Sequence, residues 1–589
     1  MDLLVPVLLG VLAIAASSAV GRKLGVASPL LLLAVGIGVG YLPFVGTVTV
    51  NPEWILVGVL PPLLYSAAVN LPAIEFRRDL RPIAGLAVAL VVISSLVLGV
   101  FFWAVVPGLG LPLGIALGAI LSPTDAVATT IAKRLGIAPR VVTLLEGESL
   151  LNDATALVLL RTAIAAIASS FSLAETVGQF VWSVVIAIVI GAIVGWLSLR
   201  LRVWVRNSAA NTAVSFTVPF IAYLPTEHLG GSGLVAAVVA GLVTSQLAPS
   251  RLTPEQRMSD TLNWRTIELV LEGAVFLLMG LELREIVRAN LQSEEGLWHG
   301  TWLALVALAI VLAVRAGYVA FVVWSQGRRA RRLDRDRLEA FSDRLDAVES
   351  GDTAPVELPD RPPSAVTPRR MPHRTLPTDP VQRERFLGIA RTRVTRALAD
   401  VDYYQGAPLD WRQGAVIVWG GMRGVVTLAA AQTLPRDDER ALLVFVAFLV
   451  AAVSLTLQGF TLPVLVRRLG LADGEAEPVG GGRDQLQDEL RTAAASALVS
   501  GELLDSDGHP FDADLTTRLG ARLAERSAND DSEFTRTALE LRLAVIGAMR
   551  ARLEELTHDG TFATAVLRHA RAELDADEIG VQLRMDAPG

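Results

Sequence analysis

The sequence predicts an all-α polytopic membrane protein, and three observations lead to this fold class. Hydrophobic residues make up 52% of the 589-residue chain and charged residues only 19%, with a mean hydropathy of +0.49, which is more apolar than a typical soluble protein. Thirteen apolar stretches lie before residue 469, and each approaches the ~20 residues that a helix needs to cross a bilayer. Basic residues cluster in alternate loops between these stretches, as expected for a chain threaded through a membrane.

The thirteen stretches define thirteen predicted transmembrane helices and the domain boundaries. They cover approximately residues 2–20, 27–44, 53–70, 83–106, 112–132, 141–169, 177–199, 209–225, 229–248, 264–283, 297–324, 412–434 and 441–466. Residues 1–325 and 411–468 form the predicted transmembrane domain. Residues 326–410 are a charged, proline-rich cytoplasmic insertion, and residues 469–589 are a cytoplasmic tail with helical spacing. For both segments a solvated extension is favoured over a specific sensor.

The basic residues also orient the predicted helices. Loops after spans 1, 3, 5, 7 and 9 carry fourteen Lys and Arg residues, whereas loops after the even-numbered spans carry four. Basic loops stay on the cytoplasmic side of a membrane. The bias therefore predicts a multi-pass protein of the plasma membrane, with the N-terminus outside and the C-terminus in the cytoplasm.

Composition excludes several classes of function. The chain has no cysteine and six histidines, so disulfide scaffolds, Cys-ligated zinc or iron-sulfur sites and thiol catalysis are excluded, and we expect no cofactor. The net charge of -7 argues against a nucleic-acid partner.

Span 5 contains an acidic residue beside a helix-breaking proline. In the sequence LGAILSPTDAVATTIA, Asp125 follows Pro123 and Thr124 near the middle of the span. Proline removes a backbone donor and frees carbonyls of the preceding turn. Because a charge at this depth is costly, Asp125 is a candidate site residue, although it could instead satisfy a loose backbone group at a proline kink. Interrupted helices of this kind hold ion sites in transporters.

Span 6 carries a strip of oxygen-bearing side chains at a similar depth. In LLEGESLLNDATALVLL, Ser149, Asn152 and Asp153 stand at i, i+3 and i+4 and share one helix face, with Glu148 beside them. Carboxylate, hydroxyl and amide oxygens are hard ligands that suit a small alkali cation. The alternative, a hydrogen-bond cluster that joins helices, does not require two acids.

Three further charged residues lie at mid-membrane depth. Arg315 in span 11 and Arg423 in span 12 are at a level where either could be the counter-ion of Glu148, and the residues alone leave both open. Glu272 in span 10 has no evident partner, and for it a bond to a neighbouring helix is favoured over a role in transport. Glycines around Arg423 weaken the helix of span 12. Span 12 runs outward across the membrane, whereas span 5 runs inward. The two spans are therefore predicted to be the broken, crossing helices of inverted-topology repeats.

Four motifs carry a family resemblance over residues 1–468. SPTDAVATT, GESLLNDATALV, FLLMGLEL and GGMRGVVTLAAA, in this order and on these spans, resemble the monovalent cation:proton antiporters of the NhaP and NHE branch. The resemblance implies a thirteen-helix antiporter fold, a core domain that moves against a dimerisation domain, and a homodimer.

The resemblance also implies roles for individual residues. Asp153 would be the essential ion- and proton-binding carboxylate, and Asp153 and Asp125 would hold sodium. Thr124, Ser149 and Asn152 would line the same site, and Glu148 would form a structural ion pair with Arg315 or Arg423. Electrogenic relatives carry two adjacent aspartates where this chain has Asn152 and Asp153, which implies electroneutral exchange of one cation for one proton.

Two departures from the family pattern limit what can be carried over. Many relatives have an acid after the di-proline of the third helix, where this chain has Ser66 in LPPLLYSAAVN, so ion selectivity stays open among sodium, potassium and lithium. The insertion between spans 11 and 12 is also longer than expected.

The predicted mechanism is competition between a proton and a cation for one buried carboxylate, because desolvation penalises the charged form unless something neutralises it. The function is then secondary antiport for pH and sodium homeostasis, and the protein is not an enzyme. An intramembrane aspartyl protease would need a Gly-x-Gly-Asp signature, which neither aspartate has. A cation channel or a membrane sensor with a signalling tail are the remaining alternatives; no selectivity-filter loop or catalytic motif in the tail supports either.

Overall fold

The computed structural model describes residues 4–43, 51–168, 173–205, 207–291, 296–330, 391–404 except 393, 409–435 and 439–471, and, with gaps, 486–516 and 532–585. Two compact units emerge, Met1–Trp324 with Leu409–Gly474, and Ser325–Pro408 with Glu475–Gly589. Within the described ranges the regular structure is helical, and the extended pairing is one isolated bridge between Leu504 and Pro510. The all-helical fold class is therefore confirmed.

Seventeen helices lie wholly or mostly in the first unit as far as it is described. They are α1 Leu4–Leu24, α2 Ser28–Gly40, α3 Leu60–Asn70, α4 Ala73–Arg78, α5 Leu80–Ala84, α6 Leu90–Val105, α7 Leu111–Leu121, α8 Val127–Arg134, α9 Pro139–Ala168, α10 Leu173–Trp204, α11 Ser208–His228, α12 Gly233–Arg251, α13 Pro254–Leu291, α14 Gly296–Ala330, α15 Trp411–Trp419, α16 Val425–Ala431 and α17 Arg440–Arg468. Short π-helical segments, Trp54–Val59 and Gly85–Ala89, lead into α3 and α6.

Helical residues occupy every predicted span, but not every span is one long apolar helix. Seven helices in the described ranges are long and apolar enough to cross a membrane, and three shorter apolar helices accompany them. The remaining spans fall on α11 and α13, which are more polar, and on the interrupted helices. The structure thus supports a multi-pass membrane protein, while the number thirteen and the repeat symmetry stay predictions.

Two spans are interrupted at the positions that their proline and glycines indicate. Residues 122–126 separate α7 from α8, because Pro123 cannot donate a helical hydrogen bond. Residues 420–424 separate α15 from α16, where the stretch GGMRG contains three glycines of low helix propensity. Each interruption leaves backbone groups unpaired within its own helix, and these groups must find partners elsewhere.

The helices of the first unit pack mainly within two groups. The scaffold group comprises α1–α3 and α10–α13, and the bundle group comprises α6–α9 and α14–α17. In the scaffold group, Gly36 of α2 and Gly280 of α13 face each other, and a Cβ on either would overlap the other helix's backbone. Such small residues allow close helix packing in lipid, where the hydrophobic effect does not drive association.

The second unit contains a hairpin of two helices, α18 Ser532–Asp559 and α19 Thr564–Met585. Gly560 ends α18 with a φ of 68°, the left-handed conformation common after helices. Leu553 and Leu567 are buried in the hairpin, and Arg550 bridges to Asp575 at 2.8 Å. These two helices lie in the predicted tail, whose boundaries and cytoplasmic location stay predictions. Most of the predicted insertion, residues 331–390, lies outside the described residues.

Candidate ion-binding site

The two interrupted helices meet and satisfy each other's backbone groups. The Asp125 amide donates a 2.7 Å hydrogen bond to the Met422 carbonyl. In return, Arg423 Nε donates to the Leu121 carbonyl at 3.1 Å, and its Nη1 donates to the Gly421 carbonyl. The guanidinium therefore lies at the carbonyl end of α7, where the helix dipole favours a positive charge. The crossing buries polar backbone that either helix alone would leave unpaired.

Asp125 lies at the amino end of α8. Its Oδ1 accepts a hydrogen bond from the Val127 amide at 3.2 Å, and the helix dipole there favours an anion. Gly424, the residue before α16, packs directly against the same carboxylate, and any Cβ at this position would overlap it. The side chain is partly exposed. These contacts hold the Asp125 carboxylate in place at the amino end of α8.

The polar strip of α9 lies against the interruption of the preceding helix. Ser149 Oγ donates to the Thr124 carbonyl at 2.8 Å, and Asn152 Nδ2 donates to Thr124 Oγ1 at 2.7 Å. Asp153 follows on the same face, 6% exposed, and lies within electrostatic range of Asp125. The structure therefore brings together the five residues that the sequence predicted for ion and proton binding.

Two oxygens of this strip are buried and have no hydrogen-bond partner among the residues that the structure describes. They are Asn152 Oδ1 and Asp153 Oδ1. Buried polar atoms are almost always paired, because an unpaired one forfeits its hydration without compensation. An amide oxygen and a carboxylate oxygen side by side are hard ligands for an alkali cation. A proton on Asp153 would remove the uncompensated charge equally well.

The donor set around Asp153 consists of oxygens, both neutral and anionic. No group of three or more His, Cys, Asp or Glu that could hold a metal ion occurs in the described part of the chain. The oxygens available come instead from Thr124, Asn152, Asp153 and the nearby Asp125. Mixed neutral and anionic oxygens suit a weakly held monovalent ion that must also leave.

Arg315 is the partner of Glu148, which decides between the two arginines. Its guanidinium forms two hydrogen bonds with the carboxylate, one of them from Nη2 to Oε2 at 2.8 Å, and both side chains are buried. Arg315 Nε also donates to the Ile417 carbonyl at 3.0 Å. A Cβ on Gly421 would overlap the guanidinium, so this glycine makes room for the pair. The pair ties α9 and α14 to the end of α15.

Several contacts between distant parts of the first unit were not anticipated from the sequence, and three of them involve buried or partly buried acids. Ser66 Oγ donates to the Glu268 carboxylate of α13. Gln432 Nε2 donates to Glu282 Oε2 at 2.7 Å, and Arg140 binds Asp79 through two 3.0 Å bonds. Ser66 carried a signal because it stands where relatives have an acid, but nothing local in the sequence indicates Glu268 as its partner. Glu272, predicted as an accessory acid, is partly buried one turn beyond Glu268.

Comparison with known proteins identifies similar chains. A family model described as sodium/hydrogen exchanger, transmembrane, matches residues 9–333 and 386–468. An uncharacterised Na(+)/H(+) exchanger of Mycobacterium tuberculosis is 27% identical over 590 residues, covering 97% of this chain and 94% of its own length. The Na(+)/H(+) antiporter ApNhaP of Aphanothece halophytica is 27% identical over 454 residues, covering 76% of this chain and 70% of its own length.

The fold is similar to that of a solved structure. The sodium proton antiporter MjNhaP1 from Methanocaldococcus jannaschii aligns with a TM-score of 0.52 at 15% identity, covering 80% of this chain and 100% of that chain. At this identity the similarity concerns the fold alone.

Proposed function

The chain belongs to the sodium/hydrogen exchanger family, and on that premise we propose that it carries sodium inward or outward in exchange for protons across the plasma membrane. The observation that carries this proposal is the pair of unpaired, buried oxygens on Asn152 and Asp153 beside the crossing of the interrupted helices. In the cell such exchange would serve pH and sodium homeostasis.

The proposed coupling is competition at Asp153. Because Asp153 is buried, its ionised carboxylate has a high free energy when nothing neutralises it. Binding a proton or a sodium ion lowers that free energy, so the two compete for the same group. If the bundle group changes access only in a loaded state, a proton moving one way obliges a cation to move the other way. No cofactor or covalent step is required.

The same contacts support a stoichiometry of one cation for one proton. Asp125 accepts a hydrogen bond at the amino end of α8, and Glu148 is paired with Arg315. In this proposal both carboxylates keep these partners throughout the cycle. Asn152 ligates through its carbonyl oxygen but carries no proton. Asp153 is then the one carboxylate of this site that changes its protonation during the cycle.

Sodium is the first substrate to test, and potassium is the second. The Bacillus subtilis relative that is 31% identical over 298 residues is named a sodium, potassium, lithium and rubidium/H(+) antiporter, which describes that protein and suggests the ions to compare here. The family resemblance further supports a homodimer, and the basic loops support an outside N-terminus and a cytoplasmic tail.

Proteoliposomes that contain a pH dye test the proposal directly. We expect sodium chloride to drive proton movement at a rate that saturates with sodium concentration, and Asp153→Asn to abolish it while the protein still inserts. Potassium, lithium and rubidium chlorides rank the selectivity in the same assay. Sodium-driven proton flux that persists in Asp153→Asn would contradict the assignment of Asp153 as the binding carboxylate. A flux that does not saturate with sodium concentration would favour a channel.

A further inference from the structure

Helix α17 packs along the interruption between α15 and α16 and is bonded near both of its ends. At one end, Ser454 Oγ accepts a 3.0 Å hydrogen bond from the Arg423 amide. At the other end, Thr461 Oγ1 accepts a 2.8 Å bond from Trp419 Nε1. Ser454 and Thr461 are two helical turns apart and share one face of α17. Gln458 is on this face between them, so it lies beside the middle of the interruption.

The Gln458 side chain is buried and unpaired. It is 1% exposed, and its Oε1 and Nε2 have no hydrogen-bond partner among the residues that the structure describes. Buried polar groups are almost always paired, because an unpaired one loses its hydration without compensation. An apolar side chain of similar length would fill this position at a lower free energy. Packing in the observed arrangement therefore does not account for a glutamine at this position.

The backbone of the interruption carries groups that match an unpaired side-chain amide. Within the described part of the chain, the Met422 amide donates no hydrogen bond and the Gly420 carbonyl accepts none, although both residues are buried. A glutamine side chain has an acceptor oxygen and two donor hydrogens. Its Oε1 is complementary to the Met422 N–H group, and its Nε2 is complementary to the Gly420 carbonyl. Both sides of these bonds are thus present on facing segments and unpaired in the observed arrangement.

The interruption is also bonded to the ion-binding site. The Met422 carbonyl accepts a 2.7 Å hydrogen bond from the Asp125 amide, and Gly424 packs against the Asp125 carboxylate. An adjustment of Asp125 toward a cation therefore moves the Met422 backbone with it. The stretch GGMRG contains three glycines, and glycine has access to more backbone conformations than other residues. The interruption therefore has the freedom to adopt a second arrangement.

We propose that Gln458 is a positioning residue for cation binding, because its side-chain amide bonds the backbone of the interruption in a second arrangement of the crossing. The second arrangement is the one favoured when a cation binds beside Asp125 and Asp153. The inference rests on the proposed function and adds to it a residue outside the set of ion ligands. Because the new bond exists only in the second arrangement, it lowers the free energy of the loaded carrier and strengthens cation binding.

Gln458→Met separates this role from a structural one, because it removes the amide and keeps the length of the side chain. In sodium-free buffer we expect the variant to unfold at a higher temperature than the wild type, since an apolar group replaces an unpaired buried amide. In proteoliposomes we expect its half-saturating sodium concentration to rise roughly three- to tenfold, as loss of one hydrogen bond implies, with the maximal rate kept. Sodium should also raise its unfolding temperature less than that of the wild type.

Gln256→Met is the matched control. Gln256 is likewise buried, at 3% exposed, but its amide is bonded on both sides. Oε1 accepts from the Thr253 amide at 3.1 Å, and Nε2 donates to the Val205 carbonyl at 2.9 Å. We expect Gln256→Met to lower the unfolding temperature and to leave the half-saturating sodium concentration unchanged. Gln458→Leu should repeat both shifts of Gln458→Met, so the test does not depend on a single variant that inserts.

The outcomes separate the inference from the proposed function. Absence of sodium-driven proton flux in the wild type would overturn the proposed function, whatever thermal unfolding shows. Wild-type exchange with an unchanged half-saturating concentration in Gln458→Met would overturn the inference alone. An unfolding temperature lowered as in Gln256→Met would also overturn it, because the Gln458 amide would then already be bonded in the observed arrangement, for example through a water molecule.

Discussion

The backbone amide of Asp125, between α7 and α8, donates a hydrogen bond to the carbonyl of Met422, between α15 and α16. The two helix interruptions are far apart in the sequence, and each supplies a hydrogen-bond partner to the other. The bond places the Asp125 carboxylate between the amino end of α8 and Gly424. Neither helix could be interrupted in an apolar environment alone, because its freed backbone groups would be unpaired. The geometry of the site therefore depends on the crossing as a unit.

Gly424→Ala should reduce exchange at least tenfold, because the added Cβ overlaps the Asp125 carboxylate and displaces it from the amino end of α8. A 1 Å displacement of a site residue can cost two orders of magnitude in rate. Gly317→Ala is the matched control, since Gly317 lies within α14 and a Cβ there meets nothing within 4 Å. Sodium-driven proton flux measures both, and equal rates for the two variants would contradict the role of Gly424.

Arg315→Met should destabilise the protein by about 3–5 kcal/mol, because it leaves Glu148 as an uncompensated buried charge. The double variant Glu148→Leu with Arg315→Met should recover most of this loss. Thermal unfolding of the purified protein in detergent measures the change. As a control, Arg161→Met breaks the more exposed pair with Glu227 and should cost less than about 1 kcal/mol. A double variant less stable than Arg315→Met would show that the pair is not the source of the effect.

Exchange should be insensitive to membrane potential if, as proposed, Asp153 is the one carboxylate of the site that changes its proton, while Asp125 stays bonded at the amino end of α8 and Glu148 stays paired with Arg315. Potassium and valinomycin set the potential in proteoliposomes while a sodium gradient drives exchange. A net charge movement would feel about 2.3 kcal/mol per 100 mV. An end point that shifts with the imposed potential would mean that a second carboxylate, with Asp125 the first candidate, also releases its proton.

Deletion of residues 475–589 should leave transport intact while changing its dependence on pH or cation concentration. The deleted segment belongs to the second unit, whereas the described residues bonded in the strip around Asp153 belong to the first unit. The maximal rate and the pH profile of the truncated protein are the measurements. A truncated protein that inserts but transports no cation would show that the tail is an integral part of the carrier.

The local parts of the site could be read from the sequence because they depend on residues close together in the chain. Pro123 and the glycines of GGMRG predict the two interruptions through backbone chemistry. The spacing of Ser149, Asn152 and Asp153 predicts a shared helix face, and the structure places all three against the first interruption or beside it. Helix periodicity alone is sufficient for this step.

The choice between Arg315 and Arg423 needed the tertiary structure. Both arginines lie at the predicted membrane depth of Glu148, and the hydropathy of the spans predicts this depth. Which face of a helix meets which neighbouring helix depends instead on how the helices are rotated and packed. The structure directs Arg315 to Glu148 and Arg423 to the carbonyl end of α7.

The sequence by itself determined the helical membrane class, the acids at mid-depth and the interrupted helices, because apolar length, charge cost and backbone propensity act locally. Only the tertiary structure decided that Ser66 donates to Glu268, that Arg315 pairs with Glu148, and that oxygens of Asn152 and Asp153 find no hydrogen-bond partner in the described part of the chain. Pairing between distant helices is set by how their surfaces fit together, and a short-range sequence pattern does not encode that fit.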